Sequence, residues 1–144
     1  MNKNPITKVG ASGILSVRDK ILLGLRAKDD PSLPGLWCSP GGGVEFQESI
    51  DNAIVREFFE ETGLAVMPSI RFTHVGESMR EDRHSILIFK MVILAGPLSK
   101  LHAGDGFDDV GFFSWDEVNR MMCEQKITNL TKDALIAFQL WNHK

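Results

Sequence analysis

The sequence predicts a mixed α/β fold, and three observations carry that expectation. The run Ile86-Leu87-Ile88-Phe89-Lys90-Met91-Val92-Ile93-Leu94 is almost continuously apolar and reads as a central strand. Ile50, Ile54 and Phe58 step by four, the signature of a helix burying one stripe. Ser114-Trp115-Asp116-Glu117 has serine followed three residues later by glutamate, a capping box that opens a further helix. At 144 residues the chain is expected to form one domain, residues 1–144. That length buries a core without disulfides or a structural metal.

Residues 8–17 read as a buried strand, although Gly10 and Gly13 weaken it. Arg18-Asp19-Lys20 reads as a hairpin turn, and residues 21–26 as the return strand. Residues 28–35, with Pro31 and Pro34, should form a surface loop. Leu36-Trp37-Cys38 is a short apolar piece before Pro40-Gly41-Gly42-Gly43, which is expected to be a tight loop feeding the helix. The helix should run over residues 47–62, with Ala53 and Val55 helping its buried stripe and Gly63 ending it. Residues 70–75 and 85–94 are the next strands, joined by a charged connection over 77–84. An acidic, glycine-containing loop at 104–109 leads to a short strand at 110–113. The capped helix then reaches about Met122, and a last helix spans about 131–141 with Leu135, Phe138 and Leu140 among its apolar positions.

Composition narrows the function classes. A net charge of −3 and a pI near 5.8 argue against a surface that coats nucleic acid, but not against a nucleotide whose charge a cation offsets. Cys38 and Cys123 have no metal spacing and read as two reduced thiols in a cytoplasmic chain. The first residues, Met-Asn-Lys-Asn-Pro, lack a signal-peptide core. No apolar run approaches the roughly 20 residues of a membrane helix. His74, His84, His102 and His143 show no metal spacing, and Met121-Met122 read as core filler.

Glu57, Glu60 and Glu61 stand at i, i+3 and i+4, so a helix places them on one face. Taken alone they are a solvated acidic face. Like charges there repel, whereas a hard divalent cation favours such a set, since Mg2+ takes a few carboxylates together with substrate phosphates. Four further residues hold fixed offsets to the acids: Gly42, Glu48, Arg56 and Gly63.

Gly42, Glu48, Arg56-Glu57, Glu60-Glu61 and Gly63, with Phe58 and Leu64 at the apolar positions, resemble the signature box of the Nudix hydrolases without a departure. The resemblance implies an α/β/α sandwich with a mixed central sheet and a catalytic loop–helix–loop. It implies Mg2+, with Mn2+ as a substitute, held by Glu57, Glu61 and Glu60 and by the Gly42 carbonyl, against the pyrophosphate of a nucleotide substrate. Arg56 would orient these carboxylates and Glu48 would tie the loop to the helix, which fixes ligand geometry. Glu60 leads as acceptor of the water proton, with Glu77, Glu81, Asp105, Asp108 and Asp109 as distal alternatives. Arg26 and the Gly41–Gly42 segment would meet substrate phosphate, Trp37 or Phe46 would stack on a base, and packing is the competing role for Trp37.

The box implies a reaction type rather than a substrate. Gly76-Glu77-Ser78-Met79 lacks the proline of many ADP-ribose hydrolases of the family, and the chain has no tyrosine such as diadenosine polyphosphate hydrolases carry. The unaltered box is unlike that of GDP-mannose hydrolases. The compact MutT-like branch, acting on nucleoside triphosphates, is the expectation; ADP-ribose or a nucleotide sugar is the alternative, and a non-catalytic nucleotide sensor of the same fold the second. Monomer and homodimer both stay open.

Overall fold

A computed structural model describes residues 5–143. The lead-in at residues 1–4, and Lys144, lie outside the described residues. Seven strands and three α-helices follow in order: β1 (Ile6–Val17), β2 (Lys20–Arg26), β3 (Trp37–Cys38), β4 (Gly41–Gly43), α1 (Ile50–Thr62), β5 (Val66–Met79), β6 (Arg83–Leu94), β7 (Phe107–Ser114), α2 (Trp115–Cys123) and α3 (Asn129–Asn142), with a 3-10 turn at Leu98–Lys100. The strands form one mixed sheet whose main path is β3-β2-β1-β6-β5, with β4 beside β1 and β7 beside β2.

The β1–β2 hairpin closes at Arg18 and Asp19, both with positive φ (53° and 61°), which matches the twist of a two-residue turn. Beyond the turn the two strands part: β1 pairs with β4 through Gly10–Ser12 and, in parallel, with β6 along Ile6–Leu15. β6 lies between β1 and β5, the inner place its apolar run implies.

Strand alternation sends side chains to opposite faces. Ala11, Leu15 and Leu22 join Ala53, Ile54 and Phe58 of α1 in one core. Ile14, Ile21, Leu23 and Phe89 join Val118 of α2 and Ala134, Leu135 and Phe138 of α3 in the other. The sheet is therefore sandwiched between helix layers, with α1 alone on one side. β1 survives its glycines because a Cβ at Gly13 would come within 3.0 Å of the Phe58 ring, so the bare position seats that ring.

The structure corrects several expectations. The glycine segment expected as a tight loop is strand β4, paired to β1. α1 starts at Ile50, not at residue 47, because Gln47 adopts φ 62° and Ser49 caps the helix by accepting from the Asn52 amide. Val55 is 37% exposed and lies outside the buried stripe, and Leu140 is 68% exposed. The charged connection shrinks to residues 80–82, since pairing of β5 with β6 extends through Glu77, Ser78 and Met79. Asp108 and Asp109 belong to β7, paired along β2, rather than to a loop. The Gly63 stop and the Ser114–Glu117 capping box form as the sequence reads, with Gly63 at φ 76°.

Candidate active site

The site is built where α1 faces β4. Phe58 and Ile54 anchor the helix from its buried side, which turns Glu57 and Glu61 toward the glycine strand. Glu61 Oε1 accepts the Gly41 amide at 2.8 Å. A Cβ at Gly42 would lie 2.6 Å from the Glu57 carboxyl carbon, so only glycine leaves that carboxylate its place.

Arg56 binds the cluster together. Its Nε and Nη2 grip both oxygens of Glu48 at 2.8 and 2.9 Å. Nη1 reaches Glu57 Oε1 at 2.8 Å and Glu60 Oε1 at 3.5 Å, while Nη2 also donates to the Gly43 carbonyl at 3.0 Å. This planar, multi-donor arrangement is one that arginine supplies and lysine does not. Glu48 lies ahead of the helix and also accepts the Glu45 amide at 3.0 Å, which fixes the loop into α1.

The acids are electrostatically unlike. The Arg56 guanidinium holds Glu48 down at about 2. Burial raises Glu57 above the ordinary carboxylate range and pushes Glu61 up to about 8, with the charge of Glu57 adding to the effect on Glu61. Glu61 therefore holds a proton near neutrality when no cation replaces it. Glu60 is the open member, with a side chain 42% exposed.

The donor set fits a hard divalent cation: oxygens only, two of them desolvated, with one arginine to offset several carboxylates. Among the described residues, no three carboxylates, imidazoles or thiols converge into a ready chelate. Arg56 Nη1 bridges Glu57 and Glu60. Residues 104–106 close the far end of α1, where the Gly104 and Asp105 amides donate to the Glu61 and Glu60 carbonyls. Of the distal carboxylates, Glu77 pairs with His84 at 2.6 Å, Asp108 accepts the Lys28 amide and Asp109 the Val110 amide.

Beside the acids lies a cavity of about 310 Å3 bordered by Gly41 and Gly42 and lined by Arg26 and Cys38. Arg26 is paired with Asp30 at 2.7 Å. Cys38 is buried, and burial pushes its thiol up to about 12, so it stays neutral. Trp37 does not line this cavity; its ring meets Phe113 edge-on at 5.0 Å and packs against the α3-side core. Phe46 is 92% exposed and is not part of the lining. The sequence reading missed Ser39, Arg80, Arg83 and Asn129 as lining residues. Only the charged turn at 80–83 carried a signal in sequence.

Residues 6–134 match the model of the NUDIX domain. The chain belongs to the Nudix family. Its acid cluster and glycine strand lie within the matched span. This Nudix domain is 33% identical over 118 residues to an ADP-ribose pyrophosphatase of Methanocaldococcus jannaschii, covering 78% of this chain and 65% of that protein. It is 44% identical over 61 residues to an m7GpppN-mRNA hydrolase of Danio rerio, covering 42% of this chain and 20% of that protein. The chain thus spans less than two thirds of these relatives. In structure it resembles a MutT protein from Methanosarcina mazei Go1, with a TM-score of 0.79 and 19% identity over 100% of both chains, a likeness of fold. Among the described residues no helix is long and apolar enough to cross a membrane.

Proposed function

We propose that this chain is a pyrophosphohydrolase acting, as a single cytoplasmic domain, on a nucleoside diphosphate derivative. Its products are a nucleoside monophosphate and pyrophosphate or phosphate-X. The observation that carries this reading is the pairing of two desolvated carboxylates, Glu57 and Glu61, against a glycine strand bordering a polar cavity.

Glu57, Glu60 and Glu61 with the Gly42 carbonyl would hold Mg2+ or Mn2+, which neutralises phosphate charge and acidifies a bound water. Arg56 keeps the carboxylates aimed by holding Glu48, Glu57 and Glu60 at once. Glu60, the exposed acid, takes the proton of the attacking water. A P–O bond forms from that water, and the bridging P–O bond breaks on the opposite side of phosphorus. Arg26, from the cavity wall, meets substrate phosphate.

Nucleoside triphosphates are the first substrate class, on the unaltered box. ADP-ribose is the second reading, supported by the activity named for the archaeal relative. The test is a panel of nucleoside triphosphates, ADP-ribose and nucleotide sugars with Mg2+ and with Mn2+. Turnover of one class, abolished by chelator, is expected. Tight binding without turnover across the panel would instead make the chain a nucleotide sensor.

A further inference from the structure

We propose that the cavity beside the acid cluster is an anion site that takes a phosphate monoester on the nucleoside half of the substrate, away from the anhydride that is cleaved. This narrows the hydrolase reading to a nucleoside diphosphate derivative that bears a further phosphate on its nucleoside, in place of unsubstituted nucleoside triphosphates or ADP-ribose. It rests on that reading for the ligand being a substrate.

The charged side chains that line the cavity are all arginines: Arg26, Arg80 and Arg83. Behind them in the wall, Arg26 Nε and Ser39 Oγ, the latter on a residue only 5% exposed, have no partner. The first turn of α3, a 14-residue helix, opens onto the cavity at Thr128 and Asn129 without a side-chain cap. Helix N-termini of this kind favour anions. Arg80 and Arg83 enter from the β5–β6 turn, and among the described residues neither makes an ion pair. No carboxylate and no aromatic ring lines the space, so neither cation binding nor base stacking suits it. Gly41 and Gly42 separate it from the glutamates. One end therefore suits a cation with its pyrophosphate, the other a second, separate anionic group. At about 310 Å3 the cavity admits one nucleoside-sized portion of a ligand.

The test titrates the protein with adenosine 2′,5′-bisphosphate and with AMP by calorimetry, without divalent cation. The bisphosphate should bind roughly tenfold more tightly, the scale of added charge-assisted hydrogen bonds. In R80Q/R83Q the two probes should bind equally, with the melting temperature of the ligand-free protein unchanged, since both arginines are exposed. Equal affinities in the unaltered protein, or a preference that survives R80Q/R83Q, would overturn the proposal. Inorganic phosphate is the third arm. If it erases the preference at concentrations near the bisphosphate Kd, the ligand is free phosphate and the substrate assignment falls. A preference intact in a protein that turns over no nucleotide would overturn the hydrolase reading alone.

Discussion

Arg56 touches three glutamate side chains within 3.5 Å and a strand carbonyl; that contact holds Glu48 low, whereas burial raises Glu57. R56K keeps the charge and loses the fork. Metal affinity or kcat should fall roughly 10- to 100-fold, measured by Mg2+ titration and steady-state kinetics. E61Q keeps an acceptor for the Gly41 amide but removes the carboxylate proposed as a metal ligand. kcat should drop by about 100-fold or more while the far-ultraviolet circular dichroism stays unchanged; full activity would remove Glu61 from the metal site. The pH behaviour follows from Glu61 at about 8 against an ordinary 4.5. The folded cation-free protein keeps a proton that the unfolded chain has lost, so stability falls as pH rises from about 4.5 to 8. A cation bound at the proposed site would displace that proton. Calorimetry in buffers of different ionisation enthalpy should show about one proton released per Mg2+ near pH 6 and none near pH 9, and E61Q should abolish the release. At this scale the acid set and Arg56 were legible, because a helix maps sequence spacing onto one face. Ser39, Arg80 and Arg83 were not, since they meet only when β3, the β5–β6 turn and α3 come together.

Elements hold these residues in place through packing on the face opposite the acids. Phe58 is fully buried one residue from Glu57, so F58A opens a cavity directly behind the site. It should cost about 3–5 kcal/mol in urea unfolding. G63A should cost at least about 1 kcal/mol, since Gly63 lies at φ 76° and a Cβ there would meet the Lys100 carbonyl and the His102 ring. Helix ends were readable where a side chain or glycine does the capping, as at Ser114 and Gly63. The start of α1 was not, because nothing local announces the positive φ of Gln47. β4 was also misread: three glycines look like a turn, and their pairing with Gly10–Ser12 is a long-range fact. β5 and β7 run longer than their apolar cores because partner strands support the polar residues.

For the whole molecule, the proposed metal site would link cation binding to folding. Mg2+ at about ten times its Kd should raise the melting temperature by roughly 3–6 °C at pH 8, measured by calorimetric scan, and the rise should vanish in a Glu57→Gln/Glu61→Gln protein. The overall sandwich was legible from element order. The parallel join between β1 and β6 was not, because local pattern does not encode strand partners. That join has a further cost in time. β1 comes first along the chain, yet its longest pairing waits for residues 83–94. Trp37, beside the glycine strand, is tied still later, to the Lys126 carbonyl and the Thr128 amide. Such high contact order slows folding relative to a helical bundle of equal size. On a ribosome the acidic helix emerges well before the segment that completes its frame, so a nascent chain carries its glutamates long before it can use them.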